Sequence, residues 1–423
     1  MFNHLIMAII IFSLTYVLIM SEKVNRTSVA ILGAVLLLVF KVIDQEQALE
    51  HVDFNTIGLL IGMMIIVNIM KRTGIFQYIA IISAKKAKGD PWKIIVVFSI
   101  VTAISSALLD NVTTILLIVP ITLVITDTLE ANPIPFLIPL ILVANIGGTA
   151  TLIGDPPNIM IGSAVGLGFM DFLINLAPIA IVVFVVTMFI LKLVYKKDLH
   201  ASQAQKNKIM ALDEKLAIKD KTLLWKCYLV LGLTILGFSL HQSLGYHSAT
   251  VAIFGAGLLL FISKMDPEEV LLEVEWPTIF FFTGLFILVG GLEEVGAIDF
   301  LAEQVIELTK GNMLITMLLI LWGAAIASAF LDNIPFVATM IPLIKSIGLM
   351  STMPITPLWW ALALGACLGG NGTLVGASAN VIVSGMLEKK GQKIGFLNYM
   401  KVGFPLMLIS ISLSTVYLLV FYA

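Results

Sequence analysis

The sequence predicts an all-α polytopic membrane protein made of two inverted repeats, each with five transmembrane helices and one re-entrant helical hairpin. Composition is the first observation behind this. Of 423 residues, 59% are hydrophobic and 12% charged, and mean hydropathy is +1.04, whereas a soluble domain carries about 25% charged residues. Apolar runs at 5–20, 30–40, 57–70, 178–191 and 402–422 approach the ~20 residues a helix needs to cross a bilayer.

An internal repeat is the second observation. SALLDNVTTILLIVP begins at Ser106 and SAFLDNIPFVATMIP at Ser328, so Asp110 and Asp332 differ by 332 − 110 = 222. The same shift carries Gly62 to Gly284, Gly74 to Gly296, Pro120 to Pro342, Gly147-Gly148 to Gly369-Gly370, Thr151 to Thr373 and Asn158 to Asn380. A constant offset over so long a stretch makes the halves related copies.

The elements follow in order. Residues 1–195 form the first copy: helices over about 4–70, an amphipathic arm at 74–86, a hairpin at 94–127, an interrupted helix at 136–166 and a closing helix at 173–195. A lysine-rich linker, 196–222, reads as a solvated cytoplasmic connector with weak attraction to lipid headgroups. The second copy, 223–423, repeats the series with helices at 225–292, arm 296–310, hairpin 315–348, interrupted helix 355–386 and closing helix 402–422. The hairpins read as re-entrant because their arms are short and their tips polar.

Charge is the third observation. Five crossings per copy is an odd number, so the second copy must be inverted. With both termini outside and the linker cytoplasmic, 22 of the 25 Lys and Arg fall in cytoplasmic loops, leaving only Lys41, Lys310 and Lys345 outside. The positive-inside rule requires that bias.

Other classes are excluded on similar grounds. The net charge of −2 gives no footprint for nucleic acid. Cys227 and Cys367 lie in apolar segments and read as small core residues, not a disulfide framework. The N-terminus lacks a basic region and a small-residue cleavage site, so no signal peptide is expected. Five scattered histidines form no metal site, and no Gly-Lys dipeptide exists for a Walker A loop. No nucleophile–base pair points to an enzyme, and no cofactor beyond a coupling ion is expected.

Inverted repeats with broken helices place binding sites near the bilayer midplane. Four breaks occur: the tips Asp110-Asn111 and Asp332-Asn333, and the stretches GGTATLIGDPPN (147–158) and GGNGTLVGASAN (369–380). An intramembrane carboxylate is costly and defaults to a functional reading, so Asp110 and Asp332 are candidates for the coupling ion or proton. Asn111, Asn333, Asn158, Asn380, Thr151 and Thr373 complete a polar cage, with Thr113, Thr149 and Asn371 as further oxygen donors. Asp155, before Pro156-Pro157, either joins the site or N-caps the half-helix that follows. Its counterpart is Ala377, where neighbouring Ser378 offers a cap. A sodium ion at Asp110, Asn111, Asp332 and Asn333 is one expectation. Helix N-termini at the breaks favour an anion instead, with no Lys or Arg expected there.

The strings DNVTT, IGGTATLIGDPPN, LDNIPF, ATMIP and ALALGACLGGNGTLVGASAN resemble the ion transporter superfamily, in the branch of arsenite permeases and the pigmentation P protein. Its distant relatives, the divalent anion:sodium symporters, typically carry Ser-Asn-Thr at the tips; Asp110 and Asp332 stand at that Ser position. The resemblance implies a homodimeric elevator whose hairpins and broken helices move against a scaffold of the first spans. It implies proton- or sodium-coupled ion efflux from a bacterial or archaeal plasma membrane. Sodium/proton antiport, sodium-coupled anion symport and a passive anion channel are alternatives, as is partnership with a separate ATPase subunit. The substrate is a small inorganic ion or small anion.

Overall fold

Twenty-one α-helices and one 3-10 turn, with no strand, make up the computed structural model, which describes residues 2–21, 23–195 and 199–422. Residues 196–198, where the linker was expected to begin, lie outside the described residues, as do Met1, Glu22 and Ala423. In chain order the helices are α1 (Phe2–Met20), α2 (Arg26–Val39), α3 (Gln45–Glu50), α4 (Phe54–Arg72), α5 (Ile75–Lys86), α6 (Pro91–Leu108), α7 (Asn111–Thr128), α8 (Ile134–Thr149), α9 (Pro156–Val165), α10 (Phe169–Tyr195) and α11 (Gln203–Met210). The turn Glu214–Ala217 follows. Then come α12 (Lys221–Leu240), α13 (Ser248–Ser263), α14 (Pro267–Leu272), α15 (Trp276–Glu294), α16 (Ala297–Thr309), α17 (Met313–Phe330), α18 (Asn333–Met350), α19 (Thr356–Gly369), α20 (Ser378–Glu388) and α21 (Phe396–Tyr422).

The helices start where short polar side chains satisfy the first free N–H groups. Asn25 accepts from the Thr27 and Ser28 amides, Asp53 from those of Asn55 and Thr56, and Asp90, ahead of Pro91, from that of Lys93. From α2 to α9 each helix start recurs 222 residues later, in α13 to α20. Two short helices absent from the sequence reading, α3 and α14, obey the same spacing.

Nine helices among the described residues are long and apolar enough to cross a membrane. All four hairpin arms, α6, α7, α17 and α18, are among them at 18 residues each. They are thus longer than the sequence suggested, at about 27 Å by helical rise. Large apolar side chains such as Leu32, Val185, Phe254 and Phe261 stand exposed along α2, α10 and α13, a surface that lipid would cover.

Packing is reciprocal between the copies. Gly62 of α4 lies against the Ala252 backbone of α13, and Gly284 of α15 against the Ala30 backbone of α2. Within each copy, Gly147 of α8 lies against Ala103 of α6, and Gly369 of α19 against Ala325 of α17. Small residues allow such close backbone approach where no hydrophobic effect drives helices together. Helices α8 and α19 are buried on nearly every face, as befits helices apolar all round. They form the centre on which the hairpins pack.

The linker differs from expectation. Residues 203–219 dock on the arm: Ile209 is fully buried, Lys85 Nζ donates to Leu212 O at 3.0 Å and to Glu214 at 2.6 Å, and Lys219 N donates to Thr73 O at 2.9 Å. Gly74 has φ +81° and passes so close to the turn that a Cβ there would stand 1.8 Å from Ala217 O. Polar composition suggested solvation, but one buried isoleucine and a lysine–glutamate pair hold the segment to α5.

Candidate functional site

Each broken helix leaves carbonyl groups without helical partners, which is tolerated at membrane depth only if they are satisfied internally. The same side chains do this in both copies. Ser106 Oγ donates to Ala144 O and Ser328 Oγ to Ala366 O, both at 2.6 Å. Thr151 Oγ1 donates to Ala107 O and Thr373 Oγ1 to Ala329 O, both at 2.5 Å, tying each break to the last turn of a hairpin arm. Asn158 Nδ2 donates to Thr149 O at 3.1 Å and Thr151 O at 2.9 Å; Asn380 Nδ2 donates to Gly370 O at 2.7 Å and Thr373 O at 2.9 Å. These six residues therefore staple the backbone and present oxygen lone pairs to the interior. Thr149 Oγ1 likewise donates to Asn145 O at 2.7 Å.

Sequence reasoning passed over Asn145, which is fully buried in α8 and joins the two copies. Its Oδ1 accepts from Asn111 Nδ2 at 3.0 Å, and its Nδ2 donates to Asn371 Oδ1 at 2.9 Å and Asn380 Oδ1 at 3.1 Å. Asn371 in turn donates to Leu142 O at 3.2 Å. A lone asparagine in an apolar run was the available signal. The 222-residue shift places Cys367 at the matching position. Its thiol lies 3.5 Å from Asn158 Oδ1 and also reaches Asp155 and Thr149.

Asp155 occupies the N-cap position of α9 but makes no capping hydrogen bond. Its carboxylate is 1% exposed and accepts from Asn333 Nδ2 at 3.4 Å on both oxygens. It lies within electrostatic range of both Asp332 and Asp110, so both tips converge on one neighbourhood. Of the two readings open for Asp155, a cap or a member of the site, the first finds no capping hydrogen bond in the structure.

The tips differ from each other. Asp110 accepts from Thr113 N at 2.7 Å, and Thr113 also offers its hydroxyl; no Lys or Arg pairs with Asp110 among the described residues. Asp332 accepts from Arg26 Nη1 at 2.5 Å and Ser378 Oγ at 2.8 Å, and Arg26 Nη1 also donates to Ser378 Oγ at 2.8 Å. Ser378 is thus no cap, since Ala377 holds the N-cap position of α20. The expectation of no Lys or Arg at the breaks is corrected by Arg26, which stands 306 residues from Asp332 at the start of α2. Its guanidinium also lies 5.0 Å from the Phe281 ring centroid. Glu275, at the N-cap of α15, lies within electrostatic range of both Arg26 and Asp110.

Arg26, Asp332 and Ser378 form the polar end of a cavity of about 510 Å³ whose other walls include Phe12, Tyr16, Phe330 and Phe336. A second cavity of about 470 Å³, lined by Asp53, Ser163, Glu293 and Lys345, borders the later part of α18.

Helices long and apolar enough to cross a membrane enclose buried breaks with carboxylates at their junction, the arrangement of a membrane transporter. Residues 16–365 match the family model described as citrate transporter (CitMHS). The chain belongs to that family. It is 43% identical over 419 residues to an uncharacterized transporter of Mycobacterium tuberculosis, covering 98% of this chain and 97% of the relative. It is 35% identical over 493 residues to the P protein of Homo sapiens, covering 96% of this chain and 58% of that protein. The P-protein resemblance read from the motifs is borne out. The solved structure of the Alcanivorax borkumensis YdaH transporter superposes with a TM-score of 0.57 at 13% identity, covering 87% of this chain and 85% of that one; that likeness concerns the fold.

Proposed function

We propose that the protein is a secondary active transporter that works by elevator-type alternating access and couples ion efflux to protons or sodium. One observation carries this reading. Three carboxyl groups, Asp110, Asp155 and Asp332, meet at the breaks with one guanidinium among them, and Glu275 adds a fourth nearby. Uncompensated carboxylates at membrane depth are expensive, so the site calls for loading by cations or protons.

In this reading α1–α4 and α12–α15 are the scaffold, α5 and α16 are the connecting arms, and the hairpins with the broken helices move. The reciprocal glycine contacts between α4 and α13 and between α15 and α2 support a two-fold relation of the copies. The lysine and arginine distribution supports an inverted second copy, external termini and a cytoplasmic linker. Mycobacterial relatives support a bacterial plasma membrane, and a homodimer follows the elevator reading.

A second reading, coupled uptake of a carboxylate anion, is favoured by Arg26 at the cavity wall and by the family's description. Both are tested in everted vesicles holding an imposed pH gradient, with sodium, lithium, arsenite and citrate added in turn. Collapse on sodium or lithium addition, lost in Asp155→Asn, supports cation-coupled exchange. A response to arsenite alone indicates metalloid efflux, and one to citrate alone the second reading. No response to any of the four overturns coupled transport.

A further inference from the structure

We infer that Arg26 is a built-in substitute for the coupling cation at Asp332: it holds the carboxylate when the transporter is empty and is displaced when a cation or proton loads. The inference rests on the proposed cation-coupled reading and deepens it by naming the positioning residue that competes for one of the two tips.

Three observations carry it. The first is an asymmetry between matched sites. The 222-residue shift sends Asp332 to Asp110, Arg26 to Ser248 and Ser378 to Pro156, so the hairpin tips share their carboxylate while, among the described residues, only one has a guanidinium. A purely structural need at a hairpin tip would recur at both. Asp110 shows that a tip folds without a cationic partner.

The second is where the partners sit. Arg26 opens α2, whereas Asp332 begins α18 and Ser378 begins α20. The pair thus joins a scaffold helix to the hairpin and half-helix of the proposed moving part. Displacing the hairpin relative to α2 must break it.

The third is access. Arg26 and Asp332 retain 34% and 16% of their side-chain exposure, and both line the 510 Å³ cavity. A cation entering there meets the Asp332 carboxylate directly. The released guanidinium keeps the Phe281 face and Glu275, both on the scaffold side, as alternative partners. The charged groups facing Asp332 are Arg26 from α2 and Asp155 from the first break, with Glu275 of α15 reaching it through Arg26. Loading Asp332 with Na⁺ or H⁺ leaves its charge compensated as Arg26 departs, so the tip stays neutralised in both states. An unloaded tip remains latched to the scaffold, and that opposes movement without cargo.

The test uses the full chain in proteoliposomes and reads the sodium concentration for half-maximal collapse of an imposed pH gradient, or the pH midpoint of driven flux if protons alone couple. Arg26→Gln removes a competitor for Asp332, so the half-saturating sodium concentration should fall by about ten- to a hundredfold, the equivalent of one charge-assisted hydrogen bond. If protons couple, the pH midpoint should rise. Maximal flux should fall because release slows. A structural role would weaken apparent affinity or leave it alone, so either result overturns the inference even where wild-type coupling is intact. If Arg26→Gln fails to give a monodisperse protein, Arg26→Lys decides, since its shorter side chain and compact, strongly hydrated ammonium hold Asp332 less closely than the guanidinium does. Half-saturation should then fall by a smaller factor, and no change overturns the assignment. Wild-type protein that responds to no cation or pH gradient overturns the parent reading and this inference with it.

Discussion

Replacing Asn145 with leucine should destabilise the protein more than any other single polar change in the broken helices. Leucine keeps asparagine's number of side-chain heavy atoms and its branch at Cγ, with methyl groups that need somewhat more room, while three hydrogen bonds vanish. Asn111 Nδ2, Asn371 Oδ1 and Asn380 Oδ1 would each lose a partner. Side-chain hydrogen bonds between membrane helices average ~0.6 kcal/mol and reach ~1.7 kcal/mol. Three therefore amount to roughly 2–5 kcal/mol, and the upper end applies because the stranded groups are buried at 0–3% exposure with no water to turn to. Ser106→Ala provides the scale, since it removes one bond, to Ala144 O. Asn145→Cys copies the residue at the matching position of the second copy, keeps a weak donor and should fall between the two. The assay is the temperature at which the full chain in detergent loses its monodisperse size-exclusion peak. Asn145→Leu should lower that temperature about three times as far as Ser106→Ala. Equal shifts for the two variants would refute the additive polar network that links the copies.

Further outcomes are expected elsewhere. Gly148→Ala places a Cβ 2.5 Å from Gly154 O, a backbone atom that cannot yield. It should cost about 1–3 kcal/mol and abolish flux, while Gly232→Ala, with nothing within 4 Å, should leave the same midpoint unchanged or raised. The docked linker should loosen in acid. The Lys85 ammonium hydrogen-bonded to Glu214, and that of Lys208 to Glu130, hold both carboxyls below the ordinary glutamate range. A depressed folded-state value means the contribution is present above the unfolded value of ~4.3 and lost as pH falls through the folded one. Hydrogen-exchange protection of 203–219, corrected for intrinsic rates, should therefore hold from pH 8 to 5 and decline below about pH 4. A decline already complete at pH 6 would assign the docking to other groups.

Much of this architecture was legible because a repeat leaves a register. The offset of 222 predicted matched helices, and α2–α9 recur at that spacing as α13–α20. The glycines at 147–148 and 369–370 marked both breaks, since each passes a backbone that tolerates no side chain. The tips were visible as Asp-Asn pairs in apolar surroundings. The polarity of Asn158 and Asn380 is plain in the sequence, but it does not reveal that their Nδ2 groups are occupied by break carbonyls.

The misses share one physical cause. Arg26 looked like a loop cation obeying the positive-inside rule, because a long, flexible side chain at a helix start can point either to water or back into the protein. Ser378 looked like a cap because serine ahead of a helix usually is one; Arg26 and Asp332 claim its hydroxyl instead. Local chemistry along the chain determined the membrane class, the two copies, the broken helices and the acidic tips, all of which depend on composition and short-range spacing. The tertiary structure alone decided which carboxylate is neutralised, through contacts between residues hundreds of positions apart. No register in the sequence links Arg26 to Asp332, or Asn145 to Asn371 and Asn380, and only the packing of the two copies brings their polar atoms within hydrogen-bond reach.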